Sequence, residues 1–208
     1  MKLRPTLLAL GLGIVLSASG MLASAEGNAK KGEELAYTCL GCHGIPNYKN
    51  AYPNYRVPKV GGQHVSYLES ALKAYASGER SHPTMYAQAT SLNDQDRADI
   101  AAYLAAQPLK PAKQVVGTPP AATQVCVACH GPDGVSPTAE YPVIAGQHAD
   151  YIEHSLRDYK SGKRKNPIMA GIAAGIKDED IPALAAFFSR QRGVCGLDQV
   201  HKAGKCQD

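Results

Sequence analysis

Tryptophan is absent from the chain and phenylalanine occurs twice, as the neighbours Phe187 and Phe188. Large aromatics supply much of the apolar bulk of small cores, and a unit under about 100 residues is marginal without some further apolar centre. After the first 25 residues no segment is apolar enough to cross a bilayer, and no run alternates convincingly as a strand would, so the expected fold is all-α. An excess of one charge is also missing: 22 basic against 18 acidic residues leave +4, and without Lys2 and Arg4 the balance is +2. That is no sign of nucleic-acid binding. Lys163-Arg164-Lys165 lacks the interleaved aromatics of a single-strand site and reads as a solvated loop. Methionine is scarce, with Met1, Met21, Met85 and Met169 making up the whole complement.

Residues 1–25 have the form of a secretory signal peptide. Lys2 and Arg4 form a basic start, Leu7 to Leu16 is apolar, and Ala23-Ser24-Ala25 is a small-residue cleavage pattern. The apolar stretch is short for a membrane span, which disfavours an uncleaved anchor. Cleavage before Glu26 would export the mature chain, and only Met85 and Met169 would remain of the methionines.

Against this sparse background stand two copies of Cys-x-x-Cys-His: Cys39-Leu40-Gly41-Cys42-His43 and, 87 residues on, Cys126-Val127-Ala128-Cys129-His130. Paired thiols at this spacing can add across the two vinyl groups of a haem, and the adjacent imidazole then reaches the iron as proximal ligand. One such pentapeptide admits a zinc or thioredoxin-type reading. Two, each followed by glycine, predict two covalently bound haems c, with Cys39, Cys42, Cys126 and Cys129 as attachment sites and His43 and His130 as axial ligands. The fixed cofactor would supply the apolar centre that the side chains lack, and its propionates would lower the net charge further.

The rest of the chain repeats as well. Pro58 to Leu68, then Leu72, Tyr75, Gly78, Arg80, Pro83 and Met85, align with Pro142 to Ile152, then Leu156, Tyr159, Gly162, Arg164, Pro167 and Met169, every pair 84 residues apart. The three-residue change from the haem-motif offset falls in the loop after each histidine, where insertion costs little. The proline-bearing stretch from Pro108 to Pro120 reads as a semi-extended linker. The expected organisation is a signal peptide (1–25), a first haem domain (26–112), a second (113–192) and a tail (193–208). In the first half, helices are expected from about Asn28 into the Cys39 motif, from near Gly62 through Tyr67, Leu68, Leu72 and Tyr75, and from about Asp94 through Ile100, Tyr103 and Leu104. The second half repeats the last two, through Tyr151 to Tyr159 and through Leu184, Phe187 and Phe188.

Met85 and Met169 occupy equivalent positions, each following a proline by two residues. A lone methionine in a small core is usually filler, but two at matched positions predict axial thioether ligation, which favours ferrous iron and raises the potential. His64 and His148 also recur and are the rival ligands, with a helix cap or a hydrogen bond to a haem propionate as their other reading. Gln63, Gln147, Tyr67 and Tyr151 are candidate haem-pocket polar groups. Arg80 and Arg164 either pair with propionates or are ordinary solvated arginines. His82, His154 and His201 have no histidine partner in the other half and read as surface residues.

With both haem motifs, both Gly-Gln-His segments and both methionines in place, the sequence up to about Arg192 resembles the cytochrome c4 family, periplasmic di-haem proteins built from two class I cytochrome c domains. The resemblance implies two haems facing each other across a pseudo-twofold interface, with propionates near the contact. It also implies electron delivery from a cytochrome bc complex or a soluble donor to a terminal oxidase, with peripheral membrane association as an option. The tail departs from the family pattern. Cys195 and Cys206 lie there, outside any haem motif, and in an oxidising compartment a disulfide is the default. Two other functions compete with a free carrier: a di-haem peroxidase or thiosulfate dehydrogenase, and a cytochrome subunit of a dehydrogenase such as flavocytochrome c sulfide dehydrogenase.

Overall fold

The computed structural model describes residues 26–52, 54–109 and 114–197, so the expected leader, His201 and Cys206 lie outside it. The described chain is helical, with isolated two-residue bridges and no extended strand. The first half holds α1 (Ala29–Leu35), α2 (Tyr37–His43), α3 (Val65–Ser77), α4 (Pro83–Thr90) and α5 (Asp94–Ala105). After a 3₁₀ turn at Ala121–Thr123, the second half holds α6 (Gln124–His130), α7 (Ala149–Ser161), α8 (Pro167–Gly175) and α9 (Ile181–Arg190). From α2 onward the two halves repeat helix for helix.

Three details differ from the sequence expectation, each for a local reason. The first expected helix is broken at Ala36, which caps α1 and begins α2. α1 is committed to a close crossing with α5: the Asn28 amide donates to the buried Asp99 carboxylate at 2.7 Å, and Gly32 packs directly on the Asp99 carbonyl. The break lets α2 leave that crossing and turn its cysteines elsewhere. The second helix starts at Val65, three residues after Gly62, because Gly62 takes a φ of +74° while its amide bonds the Leu104 carbonyl at 2.9 Å. Gly146 does the same at +73° against Phe188, and this left-handed backbone favours glycine. Finally, α4 and α8, which carry the two methionines, were not anticipated as helices.

The core positions follow the expected periodicity. α5 buries Ile100, Ala101, Tyr103 and Leu104 against Ala36 and Leu68. α9 buries Ile181, Leu184, Ala185, Phe187 and Phe188 against Ile152 and Ile176. One member of the first core comes from the far end of the chain. Residues 193–197 cross to domain 1, Cys195 and Gly61 exchange two backbone hydrogen bonds of 3.0 Å, and Leu197, 1% exposed, enters the cluster of Leu68, Ile100 and Leu104. The start of the tail is therefore a strap across the molecule. Cys195, 2% exposed, is disulfide-bonded.

Candidate functional site

Both Cys-x-x-Cys-His motifs lie on short helices, which place the cysteines of each pair one turn apart beside the histidine. The four cysteines are half-buried and form no disulfide. Burial pushes the Cys39 thiol up and the Cys126 thiol up to about 11. Among the described residues no three His, Cys, Asp or Glu side chains converge as a metal-binding cluster.

The two histidines are held alike. His43 Nδ1 lies 2.8 Å from the Pro58 carbonyl, and His130 Nδ1 lies 2.8 Å from the Pro142 carbonyl. A carbonyl only accepts, so Nδ1 carries the proton and Nε2 keeps its lone pair. A hydrogen bond from the other ring nitrogen to a backbone carbonyl is what orients a metal-binding imidazole. Burial lowers both pKa values, against the opposing pull of the proline carbonyls, and keeps the rings neutral.

Met85 and Met169 are half-buried at the third position of α4 and α8. Each helix starts with proline at its first position, where the missing N–H costs nothing. The Met85 amide donates to His82 Nδ1 at 3.2 Å and the Met169 amide to Asn166 Oδ1 at 3.0 Å. The side chain before each proline therefore fixes the backbone of the methionine. His82 is 8% exposed, which corrects the surface reading, and its counterpart in the repeat is Asn166. The signal was present in the sequence as a capping residue followed by proline. His154 is also drawn inward, stacked on Tyr55 of the other domain with ring centroids 4.2 Å apart.

The recurring glutamines, tyrosines and arginines join the domains. Gln63 donates to the Val143 carbonyl at 2.9 Å and accepts from the Val143 amide at 2.8 Å; Gln147 does the same with Lys59, at 2.8 and 2.9 Å. Arg80 donates to the Tyr151 hydroxyl and Arg164 to the Tyr67 hydroxyl, both at 2.8 Å. Each of these pairs maps onto the other by exchanging the halves, which is a pseudo-twofold interface written in hydrogen bonds. Both arginines are 8% exposed, so the solvated reading is corrected at Arg80 and Arg164, while Lys163 and Lys165 are exposed. Burial alone would raise the Tyr151 pKa, but the Arg80 and Arg164 guanidiniums outweigh it and bring the phenol down to about 8. Asp150 closes one edge of the interface, ion-paired to Arg56 at 3.0 Å and Lys49 at 3.6 Å.

His64 and His148 occupy the N-cap positions of α3 and α7, but neither side chain makes the capping bond. Burial and the nearby Lys59 take His148 down to about 4. His64 Nε2 is buried with no hydrogen-bond partner among the described residues, and neither Arg80 nor Arg164 forms an ion pair with a carboxylate there. An orphaned nitrogen and two buried cations are what a group bearing carboxylates would satisfy. Together with free thiols, neutral imidazoles and matched thioethers, the residues present fit haem.

Comparison with known proteins agrees. The Cytochrome c family profile matches residues 29–107 and 120–191. Cytochrome c4 of Pseudomonas aeruginosa is 35% identical over 80% of this chain and 90% of its own length. A thiosulfate dehydrogenase electron acceptor of Stutzerimonas stutzeri is 30% identical over 82% of this chain and 91% of its own. The crystal structure of reduced recombinant cytochrome c4 from Pseudomonas stutzeri superposes with a TM-score of 0.64 at 30% identity, covering 80% of this chain and all of that one.

Proposed function

Because the chain belongs to the cytochrome c4 family, as a di-haem electron carrier with two covalent haems c, we propose that it shuttles electrons in the periplasm through two His/Met-ligated centres. The pairs are His43 with Met85 and His130 with Met169, and electrons pass toward a terminal oxidase by outer-sphere transfer. The observation that carries this reading is the duplicated ligand support: two imidazoles with Nδ1 fixed by a proline carbonyl, and two methionines at the third position of capped, proline-started helices. Haem supplies a one-electron iron couple whose potential the soft thioether raises. The protein's part would be to exclude water and to hold each iron between a histidine and a methionine, His43 with Met85 and His130 with Met169, which would leave no place for a substrate. A donor that is either a cytochrome bc complex or a soluble protein suits this role. Export by cleavage before Glu26 suits the compartment, and no described helix is long and apolar enough to cross a membrane.

One finding favours a second reading of the donor. The relative named as a thiosulfate dehydrogenase electron acceptor spans nearly the same length. This supports a dehydrogenase as donor, in the same class as the cytochrome-subunit alternative. Purified ferric protein tests the ligation. A weak absorption band at the red end, with intensity matched to two haems, is expected for methionine–iron bonds, and carbon monoxide should not bind the reduced wild type. Met85→Ala and Met169→Ala should each open one iron to carbon monoxide. If neither does, His64 and His148 become the ligands.

A further inference from the structure

The two methionine-bearing helices are joined to each other just before they begin. The Ser81 amide donates to the Lys163 carbonyl at 3.1 Å and the Lys165 amide to the Glu79 carbonyl at 2.8 Å, so Arg80 and Arg164 lie opposite one another in an antiparallel bridge. From each arginine the chain runs three residues to a proline that opens α4 or α8, and Met85 and Met169 follow two residues later. The guanidiniums then cross the interface. Arg80 lies with Cζ 4.3 Å from the ring centroid of Tyr75 in its own domain and donates to Tyr151 of the other. Arg164 lies 4.5 Å from the Tyr159 centroid and donates to Tyr67. A stacked, bidentate-capable, always-charged fork is the role that lysine fills poorly. Two buried cations at one domain boundary belong electrostatically to both sides, because water and salt screen them little.

We propose that the Arg80–Arg164 bridge couples the two iron centres. The arginines are positioning residues that hold the two methionine helices in one register and put buried positive charge at the domain boundary, so a change at one methionine helix is passed to the other and shifts the reduction equilibrium of its centre. This rests on the His/Met reading given above. The coupling is reciprocal, as any linkage between two binding equilibria must be. A substitution confined to domain 1 therefore acts on the haem of domain 2.

Redox titration of the holoprotein tests this, with each haem followed by its own paramagnetically shifted methionine methyl signals. Wild type comes first: absence of the methionine–iron band overturns the ligation reading, and the coupling with it, before any variant is made. With that band present, Arg80→Gln should weaken reduction of both haems, by about threefold or more in each equilibrium constant, since a buried positive charge favours the ferrous state. Arg80→Lys should recover part of that loss. Tyr151→Phe removes only the cross-domain hydroxyl. It should reduce the amount by which oxidising one haem shifts the other, and it keeps the test alive if Arg80→Gln fails to fold. The proposal is overturned if Arg80→Gln moves the haem of its own domain alone, or if Tyr151→Phe leaves the haem–haem interaction at the wild-type value.

Discussion

Leu197→Ala should destabilise the domain at the opposite end of the chain. Leu197 is 1% exposed and packs among Ala36, Leu68, Ile100, Ala101, Tyr103 and Leu104, all of domain 1. Truncating a buried leucine to alanine costs about 2–5 kcal/mol, depending on how far the site collapses. The strap is held to domain 1 by the backbone pairing of Cys195 with Gly61, and it can settle inward, so the lower half of that range is expected. A domain of this size loses about 4–8 °C per kcal/mol, so about 2–3 kcal/mol corresponds to a fall of roughly 10–20 °C in the unfolding midpoint of domain 1. Thermal unfolding of the holoprotein, with the environment of each haem followed separately, should show the first haem's signals lost early while the second persists. Removing residues 193–208 should reproduce or exceed the effect. Equal loss in both domains, or an unchanged midpoint, would refute the claim that the tail completes the first core.

The interface and the first helix give further tests. Tyr151, held at about 8 by the arginines, ionises in the folded protein below the ordinary tyrosine value of about 10, so folded-state stability should rise with pH between about 8 and 10 and lose this contribution as pH falls through 8. A near-ultraviolet titration should show one early tyrosine that Tyr151→Phe abolishes, while Tyr75 and Tyr159, pushed up by burial to about 12, titrate late. Gln63→Leu should cost roughly 1–3 kcal/mol by denaturant unfolding, since it leaves the Val143 amide and carbonyl without their partners. Gly32→Ala places a methyl against the Asp99 carbonyl and should lower holoprotein yield or stability, while Gly41→Ala, which meets nothing within 4 Å, should be tolerated. Alkaline pyridine treatment of the mature chain should return two covalent haems, falling to one in Cys42→Ser or Cys129→Ser.

The fold class and the duplication were legible because each rests on local spacing that recurs. Cys-x-x-Cys-His brings its own side chains together on one helical turn, and the apolar stripes of α5 and α9 bury the residues their periodicity marks. The methionine helices were hidden by their brevity, at eight and nine residues, and by a cap that is histidine in one half and asparagine in the other. Matching residue for residue made His82 look solitary, whereas matching hydrogen-bond roles pairs it with Asn166.

By itself, then, the sequence determined what the chain attaches and how many times, since Cys-x-x-Cys-His is a short-range motif that recurs. Only the tertiary structure decided where the recurring polar residues point. Gln63, Gln147, Arg80 and Arg164 repeat as regularly as the Cys-x-x-Cys-His motifs, but a repeat cannot tell a residue that serves its own half from one that serves the other. The same holds for Leu197, more than 90 residues from the core it completes. Burial depends on what the folded chain brings near, and spacing along the sequence carries no record of that distance.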